Sequence, residues 1–132
     1  MAGYSGTPLA KKLGIKPGAT VCTLDAPKNY RQLVRERMTL VTRLDESADI
    51  IHLFATRRAK LGVILQRCVA RMRQDAAVWV SWPKRSSKVD TDITEDTIRE
   101  LALPIGLVDI KVCAVDETWS GLKLVVRREN RK

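Results

Sequence analysis

"ADIIHLFATRRAKLGVILQRC", residues 48–68, read together with "AVWVSW", residues 77–82, decides the fold. Its first eight residues have almost no polar interruption, and "AVWVSW" is apolar nearly throughout. Short continuous apolar runs of this kind read as strands buried on both faces, the habit of a parallel sheet. Between them Leu61, Ile64, Leu65, Cys68 and Met72 recur at i, i+3, i+4, i+7 and i+11. That spacing marks one buried face of a helix over residues 57–73. A strand, a helix and a second strand in this order make a right-handed crossover.

Working outward, "SGTPLAKKLG" predicts a short helix with Thr7 as N-cap, Pro8 at the first helical position and Gly14 as the stop. Strands are predicted over 20–24 and in "MTLVTRL", with a loop and a short helix, "APKNYRQLV", between them. The gap from "MTLVTRL" to "ADIIHLFA" is too short for a crossover helix, so the third strand is expected beside the first. "TEDTIRELAL" predicts a helix, with Asp92 as N-cap and Glu95 completing a capping box, ended by Pro104 and Gly106. "LVDIKVCAV" and "GLKLVV", joined by "DETWSG", predict an antiparallel hairpin. The fold class expected is α/β: one three-layer domain over 1–132, a mostly parallel sheet ending in an antiparallel hairpin, and a basic, disordered tail from about 127.

With 24 Lys and Arg against 15 Asp and Glu, the chain carries a net charge of +9, which favours an anionic partner. The charge is uneven: 57–74 hold six basic residues and no acid, whereas 90–100 hold five acids and one arginine. No apolar run approaches the roughly 20 residues of a membrane span, and the N-terminus has no signal-like apolar stretch, so a cytoplasmic protein with no membrane partner is expected. Three cysteines far apart and one histidine offer no zinc spacing, so no metal site is expected. Cys22, Cys68 and Cys113 read as structural thiols, and His52, mid-strand, as a hydrogen-bonded core residue.

The pattern from "ADIIHLFATRRAKLGVILQRC" to "LKLVVRR" resembles the C-terminal half of a Rossmann-like class I methyltransferase. The whole chain also resembles a family of small bacterial proteins classed as a domain of unknown function, through "GYSGTPLAKKLGIKPG", "WVSWPK", "TDITED" and "DETWSGLK". That second likeness transfers no activity to any residue. The first implies S-adenosylmethionine at a glycine-rich turn after the first strand. Here the turn is "LDAPKNY", with Ala26, Pro27 and Lys28 where glycines would stand, and Pro27 fixes φ and removes a donor. Asp45 and Glu46 lie near, but off, the position of a ribose-holding acid. No cofactor is therefore expected.

Ligands of open α/β sheets collect beyond the carboxyl ends of the strands. That rim is expected to gather Asp25, Lys28, Arg57, Trp82, Lys84, Ser86, Ser87 and Trp119 into a pocket for an anionic or aromatic ligand. Trp82 and Trp119 should share one cavity with Lys84 at its mouth. Lys84, Arg85, Ser86, Ser87 and Lys88 supply donors, without the glycines of a P-loop. A second candidate surface is the stripe Arg57, Lys60, Arg67 and Arg71, facing nucleic acid or an acidic protein. No Ser/His/Asp spacing, paired carboxylates or nucleophile elbow appears, so no catalytic residue is assigned. The sequence thus reads first as a non-catalytic module binding a ligand or partner at the rim. The alternatives are a nucleic-acid-associated protein and a minimal methyltransferase-like enzyme.

Overall fold

All five residues of β3 (Ile50–Phe54) and all seven of β4 (Ala77–Pro83) are buried, because helices cover both faces of the sheet they centre. The computed structural model describes residues 7–131; Ser5 and Gly6 of the expected first helix, and Lys132, lie outside the described residues. The remaining strands are β1 (Ala19–Leu24), β2 (Met38–Val41), β5 (Leu107–Ala114) and β6 (Trp119–Val126). The sheet order is β2–β1–β3–β4–β6–β5. β1 pairs in parallel with both β2 and β3, and β3 with β4, while β6 runs antiparallel between β4 and β5. The expected neighbours of β1 and the terminal hairpin are both present.

Alternation along the strands divides the core in two. Ile51, Leu53, Val78, Val80 and Trp82 pack with Leu61, Leu65 and Cys68 of α3 (Arg58–Arg71) and Ile98 and Ala102 of α4 (Glu95–Ala102). Ile50, Phe54 and Trp79 pack on the other face with Leu13 of α1 (Leu9–Leu13) and Tyr30 and Val34 of α2 (Tyr30–Val34). Among the described residues no helix is long and apolar enough to cross a membrane.

Three local expectations need correction. Pro8, not Thr7, is the N-cap of α1, while Gly14 (φ 76°) ends it as expected. Asp92 does not cap α4. Thr94 does, through a reciprocal box with Thr97, because Asp92 is committed elsewhere: its carboxylate accepts from the Arg58 amide at 2.7 Å and caps α3. Residues 127–131 of the tail are folded rather than disordered. Arg127 donates its amide to the Gly106 carbonyl at 2.8 Å, and Arg128–Asn130 form a 3-10 turn.

Gly62 lies inside α3 with ordinary negative φ, and a Cβ there would meet Leu101 at 3.6 Å, a normal contact. Glycine costs about 1 kcal/mol relative to alanine in a helix interior. Gly62→Ala is therefore expected to raise stability by about 1 kcal/mol, read as a higher urea midpoint at unchanged slope. A lower midpoint would mean that the α3–α4 seam is tighter than this spacing allows.

Candidate binding rim at the strand ends

β1, β3 and β4 run in parallel, and β5, separated from β4 by the antiparallel β6, shares their direction. The segments after Leu24, Phe54, Pro83 and Ala114 consequently meet at one edge, where β6 begins: Trp119 pairs with Pro83. The rim is real as a place. Its side chains are arranged otherwise than the sequence suggests.

Trp82 pairs with Ser120, and Pro83 with Trp119. One residue of offset sends Trp82 and Trp119 to opposite faces of the sheet. Trp82 is buried in the α3–α4 layer, and Trp119 packs edge-on against Phe54 (5.1 Å between centroids) beside the α1–α2 layer. The expected shared cavity between the two indoles does not form. Asp25, at φ 57°, pairs its carboxylate with Lys60 at 3.0 Å, and Lys28 is exposed before α2. Arg57 is bound to Asp90 at 2.7 Å. Lys84 is half-buried and donates its amide to the Thr118 carbonyl at 2.7 Å. Ser86 is exposed, while the Ser87 hydroxyl donates to the Lys84 carbonyl at 2.6 Å and so closes its own turn.

The structure does bring together Trp82, Pro83, Arg85, Lys88, Thr91 and Thr94, which line an open depression of about 490 Å³ with Asp90 and Glu95. Both acids are engaged. Arg57 hydrogen-bonds Asp90 and holds its carboxyl below the ordinary carboxylate range, and Arg99 binds Glu95. Arg85 and Lys88 have no ion pair among the described residues and are both exposed. The depression is thus walled by an indole, a proline and two available cations. Arg85 and Lys88 were legible only as loop donors. What selects them over Ser86 and Ser87 is the left-handed Lys88 (φ 61°) after the 3-10 turn Arg85–Ser87.

The α3 stripe is broken up in the same way. Arg57 and Lys60 are held by Asp90 and Asp25, leaving exposed Arg67 and Arg71 without an ion pair among the described residues. His52 is fully buried, its ring nitrogens bonded to the Tyr30 hydroxyl at 2.8 Å and the Ser81 hydroxyl at 2.7 Å. Burial raises the Cys22 and Cys68 thiols, the latter to about 12. Among the described residues no three His, Cys, Asp or Glu side chains cluster to hold a metal.

No family model matches this chain. No curated protein matches it either. Solved structures do. A type 11 methyltransferase from Sulfolobus solfataricus is similar over 94% of this chain and 92% of its own, at TM-score 0.66 and 11% identity. The B. subtilis tRNA methyltransferase TrmK matches 93% of this chain and 67% of its own, at TM-score 0.57 and 11% identity. An O-methyltransferase of neocarzinostatin biosynthesis, in complex with S-adenosylmethionine, matches 83% of this chain but 41% of its own, at TM-score 0.57 and 16% identity. The architecture is a Rossmann-like α/β fold with a mixed six-stranded sheet. Likeness at these identities establishes the fold.

Such a fold raises the fit of S-adenosylmethionine at the first loop. Residues 25–29 contain no glycine, Pro27 offers no N–H, and the Asp25 carboxylate is tied to Lys60. Asp45, beyond β2, accepts from the Ser47 amide at 2.8 Å and its hydroxyl at 2.5 Å, which occupies it in a turn. The first loop thus lacks the close backbone approach the group needs, and of the two acids after β2 Asp45 is engaged, while Glu46 is exposed with its carboxylate unbonded among the described residues.

Proposed function

We propose that this protein binds an anionic small molecule with an aromatic or otherwise apolar part in the depression after β4. The observation that carries this reading is the pairing of exposed Arg85 and Lys88 with Trp82 and Pro83, while Asp90 is paired with Arg57 and Glu95 shares Arg99 with Asp96 and Asp109. The apolar wall would take the ring, and the cations would take the charge. On this reading the protein keeps the methyltransferase-like architecture as a scaffold, and no residue is given a catalytic role. On the stretches "WVSWPK", "TDITED" and "DETWSGLK" we also propose kinship with small bacterial proteins of the domain family noted above.

Methyl transfer is the second reading. The fold neighbours favour it, one of them holding S-adenosylmethionine, and the composition of the first loop opposes it. Calorimetric titration with benzoate, adenosine monophosphate and S-adenosylmethionine separates the two. The leading reading expects an anion to bind, and Arg85→Glu with Lys88→Glu to weaken it at least about tenfold, since hydrogen bonds to charged groups contribute about 1.5–3 kcal/mol. Both positions are exposed, so the melting temperature should not move. Trp82, at 8% exposure, is too buried to serve as a clean binding probe. Binding of S-adenosylmethionine alone, insensitive to the double change, would replace this reading with methyl transfer.

A further inference from the structure

Helix α3 buries Leu61, Ile64, Leu65 and Cys68. At about 100° per residue, the positions diametrically opposite are Ala59, Val63, Gln66 and Ala70. All four are exposed, and none is charged. The outermost face of a surface helix is where charge is ordinarily found. Here the basic residues Lys60, Arg67 and Arg71 form one flank instead. Val63, 60% exposed, lies on the outer face beside that flank, and Val69, 36% exposed, lies on the opposite flank. Between α3 and α4 an open groove of about 400 Å³ is floored by Ala59, Gly62, Val63, Gln66 and Leu101, with Arg58 and Asp92 at its edge.

We propose that this face of α3 docks an acidic amphipathic helix of a partner protein. Charge complementarity selects the occupant. An apolar strip along the partner would lie on Val63 and into the groove, and acids on one of its edges would meet Arg67 and Arg71, which have no carboxylate of their own among the described residues. The opposite lip does not repel it strongly, because Glu100 is bound to Arg58 at 2.9 Å and Asp92 is fixed on the Arg58 amide. A second copy fits poorly, since antiparallel packing about a two-fold would set Arg67 and Arg71 against their own counterparts. Nucleic acid fits poorly as well. The centre of the face has no cation, Arg57 and Lys60 are held by acids, and Arg58–Arg71 contain no aromatic residue for stacking. The inference is independent of the rim reading.

The test is fluorescence anisotropy with a labelled helical peptide as long as α3, bearing a leucine and alanine strip and glutamates along one flank. The full chain should bind it. Val63→Asp and, separately, Arg67→Glu with Arg71→Glu should each weaken binding at least about tenfold. These positions are exposed, so thermal unfolding should show unchanged stability. A peptide with lysines in place of the glutamates should not bind. Absence of binding, or equal binding of a scrambled peptide, overturns the proposal. Tight binding of a DNA duplex that is lost in the arginine variant but untouched by Val63→Asp assigns the face to nucleic acid and also overturns it. Self-association in sedimentation that Val63→Asp abolishes assigns it to a second copy, with the same consequence.

Discussion

Replacing Trp79 with alanine is expected to cost about 3–5 kcal/mol of stability, the range for truncating a fully buried large aromatic. Trp79 has no exposed surface and projects from the centre of β4 into the α1–α2 layer. The indole N–H donates to the Leu13 carbonyl at 2.9 Å, so the side chain also fastens the end of α1 to the sheet. On β6, Gly121 is cut to fit it: a Cβ there would come within 3.1 Å of the Trp79 ring. A chain that leaves Cβ out to admit an indole has no nearby group to fill the space once the indole is gone. Trp79→Phe should cost less, because it keeps most of the volume and loses the one hydrogen bond, worth about 1 kcal/mol net. Urea unfolding at neutral pH is the measurement. A loss for Trp79→Ala below about 1 kcal/mol would mean that α1 is not anchored through this residue.

The same element shows what was legible in the sequence. "AVWVSW" and "ADIIHLFA" announced burial on both faces because neither contains the polar alternation of a half-exposed strand, and both strands are fully buried. The short gap before Ile50 placed β3 beside β1, since no helix could cross in it. The rim edge was legible for the same reason, connectivity alone fixing which strand ends point the same way. Which face each side chain takes was not. It depends on a one-residue register between β4 and β6 that the turn "DETWSG" does not reveal, and this separates Trp82 from Trp119. The cap of α4 was misread because Asp92 and Thr94 are both competent caps two residues apart. The choice is made by the distant Arg58 amide, which takes Asp92. The α3 cations looked like one stripe because their acids, Asp25 and Asp90, arrive from other segments. His52 was legible as a core residue, though its partners were not.

Those partners make His52 a source of acid lability. The imidazole is wholly buried between Phe54, stacked at 4.4 Å, and Tyr30, edge-on at 5.3 Å. Its ring nitrogens meet the hydroxyls of Tyr30 and Ser81, and no carboxylate is bonded to it. Burial raises the Tyr30 phenol as well, so that group stays neutral throughout the acid range. Desolvation lowers the His52 pKa from 6.5 to about 3. Between those values the unfolded chain binds a proton that the folded chain refuses. Stability from this site is therefore complete above pH 6.5 and is lost as pH falls towards about 3. At about 1.4 kcal/mol per pH unit, roughly 3 kcal/mol should be gone by about pH 4.5, and about 5 kcal/mol across the whole window. The carboxylates with depressed values, such as Asp49 held by the Thr20 amide and Arg73, add their own acid loss only below the ordinary 3.8. The upper part of the window consequently belongs to the single histidine of the chain. His52→Gln, which keeps a polar group between the two hydroxyls but cannot titrate, should be less stable at pH 7 and flat from there to about pH 4.5. Urea midpoints at several pH values distinguish the two chains. A parallel decline in both would show that His52 titrates alike in the folded and unfolded chains, and that the burial of its ring does not govern its charge.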